Sequence, residues 1–104
     1  MVDDAQVNQA KFWKKIQKLT RGRIDILRAM EIAMAEERNS EFKAALERVY
    51  AEIREGSELS KAMEAAADHF SYSVRELIRS AEKTGAWDDI LPLIAEGLED
   101  NTFD

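Results

Sequence analysis

Apolar residues recur at spacings of three and four positions along nearly the whole chain, and this periodicity constrains the fold more than any other feature. Such spacing places them on one face of an α-helix, and no stretch alternates with a period of two while carrying β-branched residues. The apolar stripes lie at residues 12–19, 26–34, 42–53, 59–70, 74–81 and 87–98. The sequence therefore predicts an all-α fold of about six short helices.

The breaks between the stripes carry residues that are typical of helix ends. Gly22, Gly56 and Gly85 each follow a stripe, where a left-handed backbone is easiest without a Cβ atom. The polar residues that we expect to cap the following helices are Asn39 or Ser40, Ser60 and Ser71. Because the connections are short, the helices are expected to pack against their sequence neighbours in an antiparallel bundle.

The chain of 104 residues is the size of one domain, and we expect a single core. We predict a polar N-terminal tail at 1–10, a helical bundle at 11–100 and a C-terminal tail at 101–104. The residues predicted to form the core are Phe12, Ile16, Leu27, Met30, Leu46, Val49, Leu59, Met63, Leu77, Ile78, Ile90 and Leu91.

Charge is distributed unevenly along the chain, whose net charge is −6. Residues 11–28 contain seven basic residues and one acid, whereas residues 85–104 contain six acids and no base. One interpretation is that the two ends lie side by side and neutralise each other. The other is that the basic face, with Lys14, Lys15, Lys18 and Arg21, binds an acidic partner or anionic lipid headgroups.

Catalytic and metal-binding residue sets are not evident. The chain has one histidine, His69, and no cysteine, so we expect no disulfide, no thiolate metal site and no catalytic triad. The numerous carboxylates do not form a calcium-binding loop and are interpreted as solvated helix surface. Trp87 is predicted to lie in the core, and Trp13 either at the core edge or exposed among lysines as a contact anchor.

Three segments share a pattern of helix ends and turns: FWKKIQKLTRGRIDILRAM at 12–30, IREGSELSKAM at 53–63 and AEKTGAWDDIL at 81–91. In this order they resemble the F domain, a six-helix cytoplasmic module of the inner-membrane platform proteins of type II secretion and type IV pilus assembly. The second segment is similar to the family's Gly turn followed by Leu-Ser-x-Ala-Leu, and the third to its Gly-Glu-x-Ser-Gly-x-Leu-x-x-x-Leu. The residues at the matching motif positions are Gly56, Leu59, Ser60, Glu82, Thr84, Gly85, Trp87 and Leu91.

The first segment departs from the family pattern at its turn. The family's Ala-Gly-x-Pro turn reads Gly22-Arg23-Ile24-Asp25 here, so the glycine stands one place early and Asp25 replaces the proline. An aspartate is compatible with a helix start because its charge suits the helix dipole. The family's second F copy and membrane helices are absent from the sequence, so we expect a cytoplasmic fragment or a shortened relative.

The resemblance implies a non-catalytic scaffold on the cytoplasmic face of the bacterial inner membrane. Its implied partners are the cytoplasmic assembly ATPase and neighbouring platform proteins, with a homodimer as a further expectation. No cofactor and no nucleic acid are expected, and membrane contact is expected only through segments that this chain lacks. The alternatives are an unrelated cytosolic helical adaptor and a helix-turn-helix protein with its basic first helix pair on DNA.

Overall fold

The structure, a computed structural model, describes the backbone of residues 4–99 and the side chains of residues 8–99. The helices are α1 (Asp4–Arg21), α2 (Ile26–Glu36), α3 (Ser40–Arg54), α4 (Leu59–Ala62), α5 (Tyr72–Thr84) and α6 (Trp87–Glu99), with a 3-10 turn at Met63–Ala66. No strand occurs in this part of the chain, which confirms the all-α prediction. None of its helices combines the length and the apolar character that crossing a bilayer requires.

Three helices begin at residues whose side chains cap them. The side chains of Asp25, Asn39 and Ser71 accept hydrogen bonds from backbone N–H groups in the first turns of α2, α3 and α5. The predictions for Asn39 and Ser71 are therefore confirmed. The prediction for Ser60 is wrong, because α4 begins at Leu59 and Ser60 lies inside it.

The first helix starts earlier than the sequence analysis indicates. Helix α1 begins at Asp4, so residues 4–10 of the predicted tail are helical, and Ala10 is buried. No glycine or proline interrupts this stretch, and its initial aspartate suits the positive end of the helix dipole. Residues 1–3 and the predicted C-terminal tail at 101–104 lie outside the described residues.

The fourth apolar stripe does not form one continuous α-helix. Helix α4 is only four residues long and tightens into the 3-10 turn at Met63–Ala66. Leu59, Met63, Ala66 and Phe70 are nevertheless all buried. The stripe thus identifies the correct buried face, although hydrophobic spacing does not distinguish an α-helix from a short 3-10 segment.

Each helix packs against its sequence neighbours, and α6 returns along α1 to close the arrangement. Nine of the twelve residues predicted to form the core are buried; Leu77 and Ile90 are partly buried and pack against it. Leu27 is wrongly predicted, because its side chain is 36% exposed. It lies in the first turn of α2, where the side chain of Leu27 borders a surface depression.

Candidate functional site

The basic face of α1 is partly neutralised by acids from other helices. The ammonium group of Lys14 forms an ion pair with Glu99 at the end of α6. Lys15 Nζ lies 2.6 Å from Glu36 Oε1 at the end of α2. The interpretation that the basic and acidic ends of the chain neutralise each other is therefore confirmed for the Lys14–Glu99 pair.

Two cations of this face keep no such partner. Lys18 and Arg21 are exposed in the last turn of α1, and no acidic oxygen of the described residues lies within 4.0 Å of either. We call Lys18 and Arg21 the basic end of α1. It is the part of the predicted partner-binding surface with charge still available to a partner.

Trp13 does not belong to this surface. Its side chain is only 1% exposed and packs edge-to-face against Phe12 and Phe70, with ring centroids 5.1 and 6.4 Å apart. The prediction of an exposed contact anchor is wrong. Because α2 and α6 both pack on α1, the buried face of this helix is wider than a single stripe.

Two of the family-motif segments meet through Ser60 and Glu82. The carboxylate of Glu82 in α5 accepts hydrogen bonds from the backbone N–H and the hydroxyl of Ser60, at 2.9 and 2.6 Å. Ser60 is 2% exposed, and the N-cap residue of α4, Glu58, makes no side-chain capping bond. Glu82 therefore provides, from another helix, the acceptor that the start of α4 lacks.

The motif glycines occupy left-handed turns. Gly56 has φ +105° and Gly85 has φ +76°, as predicted, and they end α3 and α5. At the end of α1 the left-handed residue is Arg23, with φ +67°, and not Gly22. The left-handed position of this turn is thus residue 23, where the family pattern places its glycine, and Gly22 precedes it by one residue.

Thr84 joins α5 to α6. Its hydroxyl donates a hydrogen bond to the carbonyl of Ser80 at 2.8 Å and accepts one from the N–H of Ala86 at 3.2 Å. Ala86 directly precedes α6, so this side chain links the end of one helix to the start of the next. The hydroxyl-bearing motif position has a local structural role.

Trp87 is only partly buried and borders two adjoining depressions that also share Ile26. The smaller depression, with a volume of about 170 Å³, is lined by the apolar residues Ile26, Leu27, Met30, Ile53, Leu59 and Trp87 and by Glu58 and Glu82. Asp25 and Asp88 line the larger one, about 420 Å³. We call the two together the acidic groove. The core prediction for Trp87 thus holds in part, because its side chain packs against the core without being fully buried.

His69 and the acidic residues were the remaining candidates for a chemical site, and His69 has a packing environment. His69 packs against the ring of Phe42, with centroids 5.9 Å apart, and its Nε2 lies 3.5 Å from a carboxylate oxygen of Asp68. No group of three or more histidines and acids among the described residues is placed to hold a metal ion.

Sequence reasoning missed one polar cluster. The hydroxyl of Tyr50 in α3 donates a hydrogen bond to Glu31 in α2 at 2.5 Å, and Arg28 donates another to the same carboxylate at 2.9 Å. The bond from Tyr50, followed by that from Arg28, lowers the pKa of Glu31, and the bond to Glu31 raises the pKa of Tyr50. Residues 31 and 50 are too far apart for any local spacing to reveal their contact.

The fold and the motif contacts agree with a comparison against protein families. Residues 14–103 match the family described as type II secretion system (T2SS), protein F. No curated individual protein gives a significant match. The family match spans most of the chain and thus overturns the alternative of an unrelated helical adaptor. The chain belongs to the type II secretion system protein F family.

Proposed function

We propose that this domain is a non-catalytic docking element of a secretion or pilus platform on the cytoplasmic face of the inner membrane. Its partners are the cytoplasmic assembly ATPase and neighbouring platform components, and the basic end of α1 contributes to binding the ATPase. Family membership supports the platform role. The uneven charge of the surface supports the choice of docking site.

The observation that carries this proposal is the difference between the two halves of the basic face. Lys14 and Lys15 already pair with Glu99 and Glu36. Lys18 and Arg21, one turn further along, have no acidic neighbour within 4.0 Å among the described residues. The chain has more acids than bases, with a net charge of −6, and these two exposed cations still have no acidic partner within the described part of the domain. Their charge is therefore not used for neutralisation inside the domain.

Such a site acts mainly on the rate of association. Exposed ion pairs contribute little to affinity because water and salt screen them. Charges at the rim of an interface instead steer an oppositely charged partner and fix its orientation. The basic end of α1 is therefore expected to bind an acidic surface of the ATPase in a salt-sensitive way.

The test is a titration of this domain against the assembly ATPase with charge-reversed variants. The variant Lys18→Glu with Arg21→Glu removes both cations of the basic end of α1. The control, Arg54→Glu with Lys83→Glu, changes the net charge equally. Arg54 and Lys83 are also exposed basic residues in the last turns of helices, so the cost through the helix dipole is matched.

We expect the first variant to bind the ATPase at least about fivefold more weakly at low salt, and the control to bind nearly as wild type. Equal affinities for all three proteins would contradict the proposal. Binding to anionic phospholipid vesicles that only the first variant loses, without a change in ATPase affinity, would instead assign this surface to lipid headgroups. Circular dichroism of each variant separates these outcomes from a loss of folding.

A further inference from the structure

The acidic groove is a partly apolar depression of the described surface, and Thr20 near the end of α1 lines one edge of it. Leu27 is 36% exposed at its edge, and Trp87 is partly buried beside it. An exposed leucine and a partly exposed tryptophan that line one depression are typical of a contact site. Neither residue is used by the function proposed above.

The apolar depression of the groove is too small for a typical small organic ligand. The apolar depression holds about 170 Å³, whereas sites for small organic ligands have volumes of about 300–1,000 Å³. That volume suits one apolar side chain of a protein segment. The adjoining depression of about 420 Å³ is lined by polar as well as apolar residues, including Thr20, Asp25 and Asp88.

The negative charge of the groove determines which kind of protein segment can bind there. Asp25, Glu58, Glu82 and Asp88 line the two depressions, and no basic residue lines either of them. Asp25 and Glu82 already accept hydrogen bonds, from Arg28 N–H and from Ser60, whereas no such bond is seen for Glu58 and Asp88 among the described residues. A segment that covers the groove must compensate for the water that these carboxylates lose, and cations do so best.

We propose that the acidic groove binds an amphipathic basic segment of a partner protein. One apolar side chain of the segment lies between Leu27 and Trp87, and its lysine or arginine side chains lie against Asp25, Glu58 and Asp88. This surface takes a basic segment, whereas the basic end of α1 requires an acidic partner. The domain thus carries two docking surfaces of opposite charge preference.

The probe is a synthetic helical peptide of about 15 residues, with leucines spaced three and four apart and lysines beside them. Two matched peptides replace its lysines by glutamate or its leucines by serine. Binding is followed by backbone amide chemical shifts of the labelled domain. We expect saturable shifts in the first turns of α2, α4 and α6 with the leucine-lysine peptide alone.

Variants of the domain locate the site. Leu27→Ser should weaken binding by about fivefold or more, since a buried anchor carries much of the affinity of an interface. Leu93→Ser is the control, because Leu93 is 51% exposed on α6 and lines neither depression. Glu58→Gln with Asp88→Asn should weaken binding and reduce its dependence on salt.

Four outcomes would overturn the proposal. The first is an equal affinity for the glutamate peptide, and the second is a set of shifts outside the groove. The third is self-association of the domain in sedimentation that Leu27→Ser abolishes, because a second copy would then occupy the groove. Equal binding by Leu27→Ser and Leu93→Ser would also contradict it. None of these results bears on the role of Lys18 and Arg21.

Discussion

The carboxylate of Glu82 accepts two hydrogen bonds from Ser60, one from its backbone N–H at 2.9 Å and one from its hydroxyl at 2.6 Å. This contact ties α5 to the start of α4 across 22 positions of sequence. Because α4 is only four residues long, it cannot be stable through its own backbone bonds. Its position therefore depends on this contact and on the burial of Leu59, Ala62 and Met63.

A double-mutant cycle tests that contact. Glu82→Ala should lower the free energy of unfolding by about 2 kcal/mol, because it leaves two donors of the buried Ser60 without an acceptor. Ser60→Ala should cost about 1 kcal/mol, and the two changes together should cost clearly less than their sum. Urea denaturation measures all four proteins. Additive effects would show that the bond at 2.6 Å contributes little.

The turn after α1 predicts a stabilising substitution. Arg23 has φ +67°, a conformation that costs a residue with a Cβ atom roughly 1–2 kcal/mol. Arg23→Gly removes this cost but raises the conformational entropy of the unfolded chain. We therefore expect the free energy of unfolding to rise by about 0.5–1 kcal/mol. The matched control is Gly56→Ala. A Cβ there meets nothing within 4 Å, so only its φ of +105° should destabilise the protein, by about 1 kcal/mol.

Thermal and urea unfolding of both variants decide this prediction. A loss of stability in Arg23→Gly would mean that the arginine side chain makes a contact worth more than the strain of its backbone. An unchanged stability in Gly56→Ala would remove the conformational argument for both turns.

The hydrogen bond between Tyr50 and Glu31 predicts that its contribution to the stability of the protein is lost at both acid and alkaline pH. The pKa of Glu31 is lowered, chiefly by the bond from Tyr50, so its contribution to stability is present above the ordinary glutamate pKa and is lost as pH falls through the lowered value. The pKa of Tyr50 is raised by the bond to Glu31. Its contribution is therefore present below the ordinary tyrosine pKa and is lost as pH rises through the raised value.

Tyr50→Phe removes the hydroxyl that donates this hydrogen bond and keeps the aromatic ring. The difference in unfolding free energy between wild type and Tyr50→Phe should be largest near neutral pH and should shrink towards both acid and alkaline pH. Urea denaturation across the pH range measures it. A difference that stays constant with pH would show that the hydroxyl acts through packing alone.

The helices and most core positions could be predicted because their signals are local. A stripe such as Phe12, Ile16 and Leu19 or a cap such as Asn39 is encoded within one or two turns. Residues 19–30 and 53–63 also have similar sequences, each with a glycine before a helix that contains an alanine. When the two segments are aligned on these alanines, Gly22 stands one position before the place of Gly56. The structure explains this offset, because Arg23 precedes Ala29 by six positions just as Gly56 precedes Ala62.

Both of those turns also close with the same pair of bonds. The N–H of Ile24 bonds to the carbonyl of Leu19, and that of Arg23 to the carbonyl of Thr20. The corresponding bonds after α3 run from Ser57 to Glu52 and from Gly56 to Ile53. The shared feature is therefore the chemistry of the helix end, and it is set by position relative to the helix rather than by the glycine itself.

The remaining features of the site depend on contacts between distant segments. Trp13 packs against Phe70, which is distant in the sequence, and the neutralisation of Lys14 depends on α6 returning to it. Neither is visible in the spacing of neighbouring residues. The same holds for the basic face as a whole. The sequence indicates four available cations, whereas in the fold only Lys18 and Arg21 of these four lack an acidic partner among the described residues.

The most direct test of the proposed function is the rate at which this domain associates with the assembly ATPase, followed by stopped-flow fluorescence at several salt concentrations. We predict that Lys18→Glu with Arg21→Glu slows association by about tenfold or more at low salt, and that the difference fades towards about 1 M salt, where charges are screened within a few ångströms. Arg54→Glu with Lys83→Glu should change the rate far less. Equal slowing by the two variants, or a wild-type rate in the first at low salt, would contradict docking through the basic end of α1.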